Sequence, residues 1–235
     1  MTEPNRATTN SSRRINRLSR EFGFRRYLEI GVLHGNTFLD VEVAERTAVD
    51  PGFAFDTDAY ANGTTRFCRQ RSDDFFAAEP ILPAYDAALI DGMHTFEQVV
   101  RDLSNVLIRT HHRSVIILDD TVPDDLYSVI KDPKASYEYR KKDGVPARGW
   151  QGDVYKTVFY IHDFLPCLNY RTIMGRGNPQ TLVWRANGLN RSPRFGDLER
   201  ISRLTYTEIH EHFATMQPCS EDEALAICIA EVSAL

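Results

Sequence analysis

Short apolar runs alternate along this chain with stretches in which apolar residues recur every three or four positions. RRYLEIG (25–31) is an apolar run closed by glycine, and NTFLDVEV (36–43) follows with helical spacing, a pattern that predicts strand, glycine turn and helix. RTAVD (46–50), stopped by Pro51 and Gly52, predicts a second strand, and a weaker third lies near TRFCR (65–69). A helix is expected from Ser72, with Asp73 and Asp74 in its first turn. YDAALID (85–91) reads as a buried strand. HTFEQVVRDLSNVLIRT (94–110) puts Phe96, Val99, Val100, Leu103 and Leu107 on one helical face, and SVIILDD (114–120) is an almost wholly apolar strand. Apolar strands alternating with amphipathic helices predict βαβ units and a mostly parallel, doubly wound α/β sheet covered on both faces.

Beyond Asp120 the pattern breaks. Residues 121–150 are charged and carry three prolines and two glycines, which predicts an inserted lid ending at Trp150. DVYKTVFYIHDFL (153–165) returns to helical spacing with Asp153 as its expected N-cap. YRTIMG (170–175) and TLVWRA (181–186), separated by a turn, predict a terminal antiparallel pair and bring the sheet to seven strands. Residues 190–235 read as mainly helical and end in the apolar-faced EDEALAICIAEVSAL. The expected organisation is one domain: a tail and short helix over 1–24 with residues 1–12 frayed, a core over 25–188 carrying the lid, and a helical extension over 189–235.

Bulk properties narrow the partners. With 235 residues, a net charge of −5 and no lysine/arginine block, a surface that tracks nucleic-acid phosphates is disfavoured. No apolar run approaches the roughly 20 residues of a membrane span. The polar N-terminus lacks a secretory signal and the cysteines at 68, 167, 219 and 228 show no metal-ligand spacing, so reduced thiols in a cytoplasmic protein are expected. The apolar-faced C-terminal helix suits a homodimer contact.

Candidate chemistry gathers at strand ends. In Glu29-Ile-Gly31-Val-Leu-His-Gly35 the glycines lie four apart, without the middle glycine of a dinucleotide fingerprint, which makes an NAD enzyme a poor fit. The looser turn suits a ligand without pyrophosphate. Asp50, ending the second strand, is placed to accept hydrogen bonds from a ribose diol. This combination resembles the first two motifs of the class I S-adenosylmethionine-dependent methyltransferases. The resemblance implies that the turn at Glu29, Gly31 and Gly35 holds the methionine part of the cofactor and Asp50 the ribose. It also implies that Ser72 and Asp73 contact the adenine, though those two are equally suited to starting a helix.

Asp91 ends the fourth expected strand; Asp119 and Asp120 end the fifth. Neighbouring strands about 4.8 Å apart would bring these acids together. Three such acids repel, raising at least one pKa unless a cation neutralises them, and oxygen ligands favour Mg²⁺, with Mn²⁺ or Ca²⁺ as substitutes. Aspartates at strand ends also cap helices, but one cap position cannot use both Asp119 and Asp120. His94, three residues after Asp91, suits a general base, with His34 a lesser candidate for ligand contact.

IDGxHTxExVxxDL followed by an apolar strand and DDT is similar to the metal-dependent small-molecule O-methyltransferases of the macrolide-sugar and catechol types. That resemblance implies a Rossmann-like methyltransferase fold, Asp91, Asp119 and Asp120 as metal ligands, and His94 with Asp91 as catalytic groups. It also implies a small-molecule hydroxyl acceptor of the natural-product kind. The rival is a non-catalytic cofactor-binding or assembly protein on the same fold.

Overall fold

The computed structural model describes residues 8–82, 84–175, 177–187 and 190–235. Residues 1–7, where most of the expected frayed tail falls, lie outside the described residues, as does the expected boundary at 188 and 189. Numbered along the chain, the strands are β1 (Arg26–Ile30), β2 (Glu45–Val49), β3 (Thr65–Cys68), β4 (Tyr85–Ile90), β5 (Thr110–Leu118), β6 (Leu168–Ile173), β7 (Gln180–Arg185) and β8 (Pro218–Cys219). The helices are α1 (Asn10–Phe22), α2 (Ser72–Ala78), α3 (Phe96–Leu107), α4 (Pro133–Lys142), α5 (Tyr155–Phe164), α6 (Leu198–Ser202), α7 (Tyr206–Glu211) and α8 (Glu221–Ser233).

All the strands form one sheet in the order β3-β2-β1-β4-β5-β7-β6-β8. Strands β1 to β5 pair in parallel, while β7 runs antiparallel to both β5 and β6. The sheet is therefore doubly wound, as expected, with the two-residue β8 as an eighth strand that no apolar run announces. Alternating residues feed two cores. Leu28, Ile30, Ala88, Ile90, Ile116 and Leu118 pack with α3 and α5, whereas Tyr27, Ala87, Leu89, Val115 and Ile117 pack with α1 and α8. The apolar face of α8, through Ala224, Leu225, Cys228 and Val232, is thus buried within its own chain.

Three local expectations need correction. No helix forms over 36–43; the segment is a set of turns, with Leu39 N–H donating to Gly35 O and Val41 N–H to Thr37 O. Helix α1 accounts for the difference. It packs Ile15 and Leu18 into the cluster that holds Phe38, Val41 and Val43, and ties the turns down through Ser12 Oγ to Asp40 and Asn16 to Asp40 O and Glu42 N. The expected long helix 94–110 is shorter, because the chain after Leu107 turns into the early start of β5 at Thr110. Asp153 is not the N-cap of α5, whose cap is Val154; its Oδ1 instead accepts from Phe96 N–H at 2.7 Å, satisfying the first amide of α3.

Candidate functional site

The sheet order reverses direction between β1 and β4, and a crevice opens at the carboxyl ends of the strands at such a point. Here the ladder continues one residue past each strand. Gly31 N–H donates to Val49 O, Asp91 N–H to Ile30 O and Asp119 N–H to Ile90 O, which fixes three expected site residues by backbone alone. A cavity of about 930 Å³ lies above them, lined by Glu29, Gly31, Asp50, Ser72, Asp91, His94 and Asp119 among others.

The β1 turn is tightly determined. Gly31 has φ +83°, and a Cβ there would lie 1.9 Å from the carbonyl oxygen of Asp91, so only glycine lets the turn close on the end of β4. Asp50 Oδ2 accepts from the N–H groups of Val32 and Leu33 at 2.8 and 2.9 Å, and Oδ1 accepts from Gly52 N–H. Asp50 therefore shapes the turn as well as facing the cavity. Gly35 does not line the cavity; its φ of +74° and the Phe55 ring 2.8 Å from a would-be Cβ give it a packing role. Glu29 is buried, accepts a hydrogen bond from Tyr27 Oη at 2.6 Å, and has its pKa pushed well up by burial and by the charges of Asp91 and Asp119.

Ser72 opens α2 and reaches the cavity, whereas Asp73 lies outside it. The two are joined by Gln98 of α3, whose Nε2 lies 3.1 Å from each of Ser72 Oγ, Asp73 Oδ1 and Asp102 Oδ1 and shares its two hydrogens among them. Sequence reading missed Gln98. Its signal was faint: one amide on the buried face of an amphipathic helix.

Asp119 and Asp120 part company. Asp120 has a left-handed backbone, φ 54°, and its Oδ2 faces His94 Nδ1 at 3.3 Å, while Asp119 lines the cavity and Asp120 does not. His94 bridges the acids, with Nε2 3.1 Å from Asp91 Oδ1. The Trp150 ring stacks on it at 5.5 Å, and Trp150 O lies 3.2 Å from Nδ1. The chain just after Trp150 is anchored there too: a Cβ on Gly152 would meet His94 O at 1.7 Å, and Asp153 N–H donates to the same oxygen.

Burial opposes a charged His94, but the hydrogen bond to Asp91 and the charges of Asp120 and Asp91 outweigh it and raise the pKa to about 9. In this arrangement the carboxylates on either side favour the protonated form of His94. Burial and the mutual charges of Asp91 and Asp120 push Asp119 well above the usual carboxylate range. Burial and the charge of Asp91 raise Asp120 as well, although His94 acts against the shift.

The donors fit a hard cation in chemistry: three carboxylates, and an Asp120 Oδ1 that is buried with no hydrogen-bond partner. Their spacing is another matter. Among the described residues no three histidine, cysteine or acidic groups lie close enough to hold an ion, since His94 occupies the interval between Asp91 and Asp120.

Residues 28–121, from β1 to the turn after β5, match a family model described as a methyltransferase domain. Solved structures agree on the chain's Rossmann-like methyltransferase fold. An O-methyltransferase of Bacillus cereus, solved in complex with SAH, is 15% identical with a TM-score of 0.52, covering 77% of this chain and 84% of that one. The O-methyltransferase TomG of Streptomyces achromogenes, involved in tomaymycin synthesis and solved with SAM, is 14% identical at 0.50, covering 77% and 82%. The SAH-bound methyltransferase PaMTH1 of Podospora anserina is 12% identical at 0.52, covering 78% and 81%. At these identities the likeness speaks for the fold. No curated protein matches the chain. No helix among the described residues is long and apolar enough to cross a membrane.

Proposed function

We propose that this methyltransferase moves the methyl group of S-adenosylmethionine to a hydroxyl of a small molecule, one of a vicinal pair, with a divalent cation, Mg²⁺ first, at Asp91, Asp119 and Asp120. The observation that carries the reading is a single cavity, at the switch point of the sheet, lined by both the Gly31 turn and the acids after β4 and β5. Its size suits a nucleoside cofactor with an acceptor beside it. That two solved structures of this fold hold SAM or SAH supports a cofactor of that kind here.

In this reading the turn at Gly31 receives the methionine part, and Glu29 meets its ammonium, a cation that would draw its buried carboxyl back into the ionised form. Asp50 takes the ribose diol. Ser72 contacts the adenine, with Asp73 acting behind it through Gln98, and Gly35 supports the turn from outside the cavity. A cation at the three aspartates would supply the charge that makes an acceptor hydroxyl acidic. His94 takes the hydroxyl proton once Asp91 and Asp120 are engaged elsewhere and no longer stabilise its charged form. The oxygen then forms a bond to the sulfonium methyl carbon as the carbon–sulfur bond breaks, leaving S-adenosylhomocysteine. Trp150, stacked on His94, helps exclude water from this end. The protein is read as cytoplasmic, with no nucleic-acid or membrane partner.

The test is label transfer from methyl-labelled S-adenosylmethionine to a set of vicinal diols, including 3,4-dihydroxybenzoate, with Mg²⁺ and with EDTA. Transfer that EDTA abolishes and Mg²⁺ restores is expected. Undiminished transfer in EDTA would remove the cation, and failure to bind S-adenosylmethionine would remove the whole reading.

A further inference from the structure

We infer that the acceptor is a non-aromatic, hydroxyl-rich ring of the glycoside kind, seated between the start of α1 and the β6–β7 turn. This rests on the cofactor placement at Gly31 and Asp50 and needs no cation. The sheet order divides the cavity. Asp50 and Ser72, which follow β2 and β3, lie on one side of Gly31, whereas Asp119 after β5 and Gln180 of β7 lie on the other. Strand β7 runs antiparallel to β5 with Thr181 opposite Leu118, so its first residue, Gln180, arrives beside Asp119. A nucleoside stretched from Gly31 towards Ser72 leaves the Gln180 end to the acceptor.

That end is walled by side chains outside residues 28–121: Thr9, Asn10, Ser11, Asn178 and Gln180, all uncharged hydroxyls and amides. The wall is fastened to the rest of the site. Thr9 Oγ1 lies 3.0 Å from Thr37 Oγ1, beyond the glycine turn, and Gln180 Nε2 donates to Ser11 Oγ at 2.7 Å. Ser11 Oγ donates to no group among the described residues, which leaves its hydrogen for a ligand. Arg13 Nη2 donates to Asn10 Oδ1 at 2.8 Å. Arginine only donates, so the nitrogen of this amide is the end turned to the β6–β7 turn, where a Cβ on Gly177 would lie 1.8 Å from it. Asn178, exposed next to Gly177, adds a second amide at the rim. None of the described residues lining the cavity is phenylalanine, tyrosine or tryptophan, and Trp150, stacked on His94, is not among them. The apolar lining among the described residues comes from β1, β2 and β4 or the turns after them, and none from α1, β5 or β7. A flat aromatic acceptor would meet no apolar surface at the Gln180 end. It would also leave the amides and hydroxyls there unpaired, and a ring with hydroxyls along its edges would not.

The test is saturation-transfer NMR on protein saturated with S-adenosylhomocysteine, titrated with methyl α-L-rhamnopyranoside, methyl α-D-mannopyranoside, methyl β-D-glucopyranoside and, separately, catechol. At least one glycoside is expected to bind saturably and about tenfold more tightly than catechol. Asn10→Leu and Asn178→Leu, which keep the volume and remove the amide, should each weaken that glycoside about fivefold, with catechol affinity unchanged or higher and S-adenosylhomocysteine affinity within about threefold of wild type. Absence of glycoside binding, tighter binding of catechol than of every glycoside, or wild-type glycoside affinity in either folded variant would overturn the inference and leave the methyl-transfer reading standing. Parallel loss of S-adenosylhomocysteine affinity in the variants would also overturn it, as a structural role. Failure of the wild-type protein to bind S-adenosylhomocysteine would overturn the site reading and this inference together.

Discussion

The glycine turn after β1 lines one cavity with Asp91 after β4 and Asp119 after β5, yet the chain satisfies the turn and leaves the acids under tension. Around the turn, Asp50 accepts three backbone N–H bonds and Gly31 sits where no other residue fits. Across the cavity, Asp119 and Asp120 have raised pKa values, Asp120 Oδ1 has no partner, and His94 is drawn in as a counter-ion. A turn built from backbone is complete before its ligand comes. A cluster of like charges is complete only when something positive enters, and the two halves should respond to mutation in opposite ways.

The largest expected effect separates them by activity. Asp119→Ala should lower methyl transfer to a competent diol about a thousandfold, some 4 kcal/mol of transition-state stabilisation, without weakening S-adenosylhomocysteine binding more than about threefold; equal losses in both would erase the contrast. Gly31→Ala should do the reverse. Its Cβ would collide with the Asp91 carbonyl at φ +83°, so a loss of about 3 kcal/mol in urea unfolding is expected, together with loss of cofactor binding.

A third acid sharpens the comparison by pH. Asp102, buried behind Gly92 with Oδ2 unpartnered, is raised by burial to about 6. Its folded pKa lies above its unfolded value near 3.9. The folded protein therefore binds this proton more readily, and stability is lost as pH rises from about 4 through 6. Asp102→Asn should thus stabilise the protein by about 2 kcal/mol at pH 8 and hardly at all at pH 4, as followed by urea unfolding. The smallest effect belongs to Leu33, half exposed in the turn with φ 41°. Leu33→Asn should raise stability by about 0.5 kcal/mol, showing how little strain remains in that half.

The strands were legible because parallel strands buried on two faces must be apolar, and their carboxyl-end residues followed directly. The missing helix over 36–43 was not, since the apolar spacing that suggested it is answered by α1 packing from elsewhere in the chain. Gln180 was equally hidden. One polar residue at the start of an apolar strand acquires meaning only from the antiparallel placement of β7. His94 was visible three residues from Asp91, but not its second carboxylate neighbour, Asp120, which the left-handed turn aims at it. Asp153 caps a helix that starts 57 residues earlier, beyond any local rule.

This cavity is expected to take S-adenosylmethionine and not a dinucleotide. Calorimetric titration of the wild-type protein with S-adenosylhomocysteine and, separately, with NAD⁺ tests it most directly. One S-adenosylhomocysteine per chain and no heat from NAD⁺ is the predicted result; saturable NAD⁺ binding, or no S-adenosylhomocysteine binding, would contradict it.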